Sequence, residues 1–320
     1  MNESNSQVEN ILSLGNNGSS YHVPVLFSEV IEGLAIKSEG TYVDCTFGGG
    51  GHSRGILEKL GKDGRLIAFD QDADAAKNLP ADDRIKFIPQ NFRHLQRFLK
   101  LHKIGKVDGL LADLGVSSHQ FDEGDRGFSI RFDGPLDMRM DQREGLTAAD
   151  VIISYSESKL HLLFERYGEV SNSKSLARHI VEARKHSQVQ TILQFKSMLS
   201  PVVKGNPNKY LAQVFQALRI EVNGEMEVLK EMLLQLNDVV KEGGRVAIIT
   251  FHSLEDRLAK QFFKNGSFEV EDDDNPFVQT VKEQKWKLIN KKPITATDAE
   301  LKMNKRSRSA KLRVAEKIWL

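Results

Sequence analysis

The run Asp44-Cys-Thr-Phe-Gly-Gly-Gly-Gly-His-Ser53 constrains this chain more than any other segment. It follows a short apolar stretch at Tyr42 and Val43 and opens onto helical spacing from Ser53 to Leu60, so the pattern predicts strand, turn, helix. The glycines let the backbone turn tightly and approach a ligand, and the start of the next helix offers unpaired N–H groups. Further on, Asp70 closes a second strand, Arg65-Leu-Ile-Ala-Phe-Asp70, where a carboxylate can accept hydrogen bonds from both hydroxyls of a ribose.

An adenosyl or dinucleotide ligand suits that pair of features, and they do not by themselves separate S-adenosylmethionine from NAD. A dinucleotide fingerprint would follow Gly48 and Gly50 with a third glycine where Ser53 stands, which counts against NAD. The alternation continues with a helix over Asp72 to Leu79, Ile85-Lys-Phe-Ile88, a helix near Phe92 to Leu101, and Val107-Asp-Gly-Leu-Leu-Ala-Asp113. Strands alternating with helices imply a parallel, doubly wound α/β sheet.

Beyond Asp113 the rhythm breaks. A Gly- and Asp-rich loop runs through Met140, and helical segments follow around Ala148, Leu160, Leu176 and Ile192. The expected organisation is a flexible tail over 1–20, a core built from 21–120 and 210–320, and an inserted helical domain over 121–209. A long helical stretch from Tyr210 carries Phe215, Leu218, Val222, Met226, Leu229, Leu233 and Leu236, with a break expected at Asn223-Gly224. After the strand Arg245–Phe251, Ser253-Leu-Glu-Asp256 fits a capping box, which puts Phe251 and His252 at the ligand-binding edge of the sheet. Near the end, Ala310, Leu312 and Val314 alternate with Lys311 and Arg313 as in a half-buried strand.

Composition narrows the function classes. The chain is 40% hydrophobic and 28% charged, ordinary for a soluble globular protein, and its net charge of +1 conceals a crowding of Lys and Arg toward the C-terminus. One cysteine, Cys45, excludes an internal disulfide framework and a multi-cysteine zinc site and fits the cytoplasm. No His or carboxylate spacing reads as a metal site. Apolar stretches such as Val246–Phe251 fall far short of the ~20 residues of a membrane helix, and no basic region precedes Val8, Ile11 and Leu12 as in a signal peptide.

Seven blocks occur in order: Gly-Gly-Gly-Gly-His-Ser53, Asp113-Leu-Gly-Val-Ser-Ser-His-Gln120, Arg126-Gly-Phe-Ser129, Pro135-Leu-Asp-Met-Arg-Met140, Phe215-Gln-Ala-Leu-Arg-Ile220, Phe251-His-Ser-Leu-Glu-Asp-Arg257 and Arg306-Ser-Arg-Ser-Ala-Lys-Leu-Arg313. Together they resemble the bacterial ribosomal RNA small subunit methyltransferase H family, also called MraW, from Tyr21 to about Glu316. The resemblance implies a class I S-adenosylmethionine-dependent methyltransferase core, Rossmann-like, with an inserted helical domain. It implies N4-methylation of a cytosine in the decoding region of 16S rRNA within the small ribosomal subunit, and it suggests a homodimer. It places cofactor contacts at Gly50, Gly51, His52, Asp70, Phe92, Asp113 and Gln120.

The chemistry then sets what the remaining residues must do. A cytosine amine is a weak nucleophile, and acceptors for its N–H bonds would stabilise the charge that develops as it attacks. Asp113 and a carbonyl in Leu114 to Ser117 are the expected acceptors, and His252, at the strand end facing the same edge, either contacts base or phosphate or packs through a hydrogen bond; the candidate catalytic set is Asp113, Ser117 and His252. Phe128 and Phe251 are candidate stacking platforms for an unstacked base, or core residues. Arg139 could hold a phosphate or pair with Asp137. The basic segment with Lys302, Lys305, Arg306, Arg308, Lys311 and Arg313 could neutralise phosphates or form a solvated face. A methyltransferase for another substrate and a non-catalytic assembly factor are the rival readings.

Overall fold

The computed structural model describes residues 24–117, 124–268 and 284–318. The expected tail over 1–20 lies outside them. After α1 (Phe27–Leu34), β1 (Thr41–Asp44), α2 (Gly51–Lys59), β2 (Arg65–Phe69), β3 (Ile85–Ile88), α3 (Leu95–Leu101) and β4 (Val107–Asp113) alternate as the sequence rhythm requires. The stretch expected as a helix after β2 is a 3-10 turn over Ala73–Asn78, opened by the Asp72 side chain accepting from Asp74 N–H. Four helices follow, α4 (Ala148–Ser154), α5 (Glu157–Arg166), α6 (Ser173–Ala183) and α7 (Ile192–Leu199). Two longer ones, α8 (Pro207–Asn223) and α9 (Glu225–Val239), lead into β5 (Val240–Thr250). The chain closes with α10 (Ser253–Asn265), β6 (Trp286–Leu288), α11 (Asp298–Met303) and β7 (Lys311–Lys317).

The strands form one sheet in the order β3-β2-β1-β4-β5-β7-β6. The first five are parallel, and β7 inserts antiparallel between β5 and β6. Both faces are covered because successive side chains point to opposite sides. Leu110 and Ala112 of β4 face the cluster holding Leu229, Phe262 and Trp286, whereas Leu111 faces the cluster holding Val30, Ile56 and Leu312. Truncating a fully buried leucine such as Leu110 to alanine costs about 2–5 kcal/mol.

The helical stretch α4–α7 builds its own apolar cluster around Val151, Phe164, Leu176, Ile180 and Phe195. Tyr210, Val214 and Leu218 of α8 belong to that cluster too, so packing carries the helical unit past residue 209. Gly224, at φ 56°, ends α8 in the left-handed conformation that favours glycine, the break expected at Asn223-Gly224.

Two local expectations are corrected. The capping box of α10 is one residue earlier than Ser253: His252 is the N-cap and Glu255 its partner, because an imidazole nitrogen can accept the N–H that a hydroxyl usually takes. Strand β7 is not half-buried, since β5 and β6 flank it and Arg313 and Lys317 are buried with its apolar residues. Of the two roles left open for Phe128, the core one holds, since it lies in the helical cluster.

Candidate active site

The strand order reverses between β1 and β4, and in a doubly wound sheet ligands bind at the carboxyl ends of the strands beside such a reversal. The sequence places an aspartate at or just after the end of β1, β2 and β4: Asp44, Asp70 and Asp113. A cavity of about 620 Å³ opens there, a size suited to a nucleoside-like ligand. Gly48, Asp70, Phe92, Asp113, Ser117 and Phe251 are among its walls.

Asp44 and Asp70 fix the glycine loop from below. Asp44 accepts from Ser53 Oγ at 2.7 Å and from Thr46 N–H at 3.0 Å, joining strand end to helix start. Asp70 accepts from Gly48 N–H and Asp72 N–H, both at 2.8 Å. Burial raises its pKa to about 6, and these N–H donors restrain the rise. Each carboxylate oxygen of Asp70 still has acceptor capacity for a ribose hydroxyl.

Glycine is required at two points of the loop. At Gly50, φ is +74° and a Cβ would meet the Phe47 ring at 2.8 Å; at Gly51 it would meet Pro24 Cγ at 2.3 Å. Gly51 lines the cavity, whereas Gly50 shapes the turn and is not among the lining residues. His52 lines the cavity, with Nε2 3.0 Å from the Val25 carbonyl and Nδ1 3.7 Å from Asp113 Oδ2. Burial depresses its pKa to about 4, so the ring is neutral.

Asp113 behaves differently from the other two acids. A quarter of its side chain (25%) faces the cavity, and its buried Oδ1 has no hydrogen-bond partner among the described residues. Burial, then the charges of Asp44 and Glu255, push its pKa up to about 8. An orphaned buried acceptor is unusual in a folded protein and points to a ligand that donates to it.

The remaining expected residues divide. Ser117 lines the cavity opposite Gly48, whose added Cβ would lie 3.7 Å from Ser117 Cβ. Half-buried Phe92 lines it while packing on the sheet cluster. Phe251 lines it and reaches within 3.5 Å of a Cβ placed on Gly115, so of the two stacking candidates only Phe251 is at the site. His252 is not in the wall: its ring is buried, with Nδ1 accepting from Glu255 N–H at 3.4 Å. Gln120 lies outside the described residues.

Arg139 is committed to Asp137 through two contacts of 2.8 Å. Within the basic segment, Arg313 is buried against Asp256 at 2.7 Å, which withdraws it from phosphate contact, whereas Lys311 lies 3.7 Å from the same carboxylate and keeps 40% of its side chain exposed. Arg306 lines the cavity, while Lys302, Lys305 and Arg308 are exposed nearby in sequence.

Several contacts escape sequence reasoning. Arg126 reaches from the loop after β4 to Asp72 at 3.0 Å and donates to the carbonyls of Arg139 and Met140, tying that loop to the acidic turn after β2. Asn223 at the end of α8 accepts from Met140 N–H and donates to the Met138 carbonyl, both at 2.8 Å. No local pattern announces these pairs. The strand-end position of Asp44 does announce its role, since Asp70 and Asp113 occupy the same place on their strands.

The MraW methylase family profile matches residues 19–318. A protein named ribosomal RNA small subunit methyltransferase H from Azobacteroides pseudotrichonymphae is 54% identical over 93% of this chain and 98% of its own length. Proteins of the same name from Parabacteroides distasonis and Bacteroides thetaiotaomicron are 53% and 52% identical, over 94% and 93% of this chain and 98% of theirs. Blocks this similar along nearly the whole chain, laid on the strand order and acidic strand ends described above, leave one assignment: the chain belongs to the MraW methylase family.

Proposed function

We propose that this protein transfers a methyl group from S-adenosylmethionine to the exocyclic N4 amine of one cytidine in the decoding region of 16S rRNA. The observation that carries the reading is the orphaned Oδ1 of Asp113 in a cavity whose floor is the glycine loop and Asp70. The residues fit the cofactor: glycines at Gly50 and Gly51 keep the loop close to its neighbours, Asp70 retains acceptor capacity for a ribose, and the acids favour a cation.

When bound, S-adenosylmethionine supplies a sulfonium-borne methyl whose C–S electron pair stays on sulfur as the N4 lone pair takes the carbon. Asp70 would hold the ribose and Phe92 would lie against the adenine, with Gly51 and His52 closing the loop. A cation beside Asp113 favours its carboxylate form, which then accepts an N–H of the target amine. A carbonyl among Leu114 to Ser117, which line the cavity, would accept the other. Positioning of the amine between fixed acceptors supplies most of the rate. Phe251 offers the face on which an unstacked base can lie.

The helical unit α4–α7 with α8 as far as Leu218, together with exposed Lys302, Lys305 and Arg308, would form the RNA surface. Cytoplasmic location, read from the single cysteine, and pairing into a homodimer, implied by the resemblance, complete the proposal. Among the described residues no helix is long and apolar enough to cross a membrane.

The test is transfer of labelled methyl to undermethylated small subunits, with free ribosomal RNA and DNA alongside and nuclease mapping of the product. Label recovered as N4-methylcytidine in 16S rRNA is expected. Cofactor binding without transfer to any ribosomal substrate would sink the reading. Lys305→Ala with Arg308→Ala should reduce the salt slope of RNA binding by about 1 per lost phosphate contact.

A further inference from the structure

His52 and Asp113 face each other across the reacting end of the cavity in a way that assigns the protons. The Val25 carbonyl, 3.0 Å from His52 Nε2, can only accept, so Nε2 carries the hydrogen. In a neutral ring Nδ1 is then a bare lone pair, and it lies 3.7 Å from Asp113 Oδ2. That is longer than a hydrogen bond, and two lone pairs facing each other there repel, so a proton arriving on the carboxyl is what would draw the two groups into one. The ring cannot turn away freely: it is buried, it stands at the start of α2, and it stacks on Phe27 with centroids 6.1 Å apart.

We infer that His52 is a positioning residue for a proton on Asp113: its Nδ1 accepts the O–H of the carboxyl after that group has taken the proton shed by the methylated amine. The inference rests on Asp113 being the acceptor of the proposed methyl transfer. The balance is simple. The N4 lone pair forms the new N–C bond, the C–S pair returns to sulfur, and the N4 proton moves to Asp113, leaving cytosine, carboxyl and thioether all neutral. The proton stays on Asp113 rather than passing to His52, because burial and the helix N-terminus both oppose an imidazolium there. Other charged groups near the pair are Asp44 and Glu255, which act on Asp113 through space, and Arg306 in the same cavity wall. His52 itself faces Val25, Phe27 and Asp113.

Nitrogen NMR of the full chain with labelled histidine, without cofactor, tests the pairing directly. The Nδ1 resonance of His52, assigned by its loss in His52→Gln, should inflect near pH 8 as Asp113 titrates, and the inflection should vanish in Asp113→Asn. A flat response, or an inflection that survives in Asp113→Asn, overturns the pairing.

Methyl transfer supplies the second readout. His52→Gln can keep a donor to Val25 while removing the acceptor at the Nδ1 position; His52→Asn can restore an acceptor there. Losing that acceptor destabilises the protonated carboxyl, so the acid limb of the kcat profile should move down by about one pH unit and the plateau fall about tenfold, with partial return in His52→Asn. A plateau lowered equally in both variants with the limb unmoved means His52 is only structural and overturns the role. If the NMR inflection is present but the wild-type protein methylates no ribosomal substrate, the proton-sharing pair stands and its role in methyl transfer falls with the functional reading.

Discussion

Two aspartates on one strand, Asp108 and Asp113, show what distinguishes the two ends of this sheet. At the start of β4, Asp108 has a side chain only 9% exposed, more withdrawn than the 25% of Asp113. Burial therefore pushes Asp108 upward, yet its pKa is lowered overall. Lys241 Nζ lies 2.7 Å away, Thr41 N–H donates at 3.0 Å, and Lys37 stands at 3.7 Å. Among the described residues Asp113 has no such partner for Oδ1 and its near neighbours include Asp44 and Glu255, so burial is reinforced and the pKa rises to about 8. Partners rather than depth decide the sign. One end of the strand has satisfied its acid for stability; the other keeps an acid in want of a donor.

The comparison breaks if the two acids contribute alike to catalysis. Asp113→Asn should lower kcat for methyl transfer by about 10²–10³, the scale of losing one preorganised polar contact to the reacting centre. Asp108→Asn, at the far end of the same strand, should leave kcat within about twofold. Single-turnover transfer to small subunits at saturating cofactor measures both. Equal losses would mean the site extends through the sheet or that Asp113 matters only for folding.

Stability reverses the ranking. Asp108→Ala leaves the Thr41 N–H without its acceptor and frees Lys241, so it should cost about 1–3 kcal/mol in urea unfolding. Asp113→Asn should cost nothing and gain stability at neutral pH, because it removes a buried acid whose Oδ1 has no hydrogen-bond partner among the described residues. A destabilised Asp113→Asn would show that Oδ1 has a structural partner after all.

How much of this was legible depended on whether the determining contacts are local. The glycine run, the alternation of strands and helices, and the strand-end acids are written in adjacent residues, and backbone sterics and period-2 burial turn them into structure directly. Asp113 and Asp70 could therefore be placed by number. His252 could not: Ser253 looked the better cap, and only the three-dimensional turn shows the imidazole taking the Glu255 N–H. For Arg313 the pattern allows a phosphate contact or a solvated face, and neither holds, because β7 lies between two strands with Asp256 beside the guanidinium. The cavity wall likewise joins Pro24 and Val25 to Asn304 and Arg306, segments from opposite ends of the chain, and no spacing rule relates residues so distant.

The sharpest test of the comparison is the pH dependence of stability. Asp113 has a raised native pKa of about 8 against an unfolded value near 3.8, so its contribution favours the native state below about pH 4 and is lost as pH climbs through 8. Asp113→Asn lacks that loss; its Tm advantage over the wild type should be absent near pH 4, grow to pH 8 and level off above. Asp108 runs the other way. Its native pKa lies below 3.8, so it stabilises the native state above about pH 4, and that contribution disappears as pH falls through its native value. Asp108→Asn should therefore trail the wild type by a constant margin at neutral pH and converge with it only in acid. Thermal unfolding of the three proteins from pH 3 to 9 thus yields two difference curves of opposite sign in separate pH windows. Curves of the same sign would mean that Asp113 finds a compensating donor in the native protein, and the orphaned oxygen would then no longer mark the reacting end of the cavity.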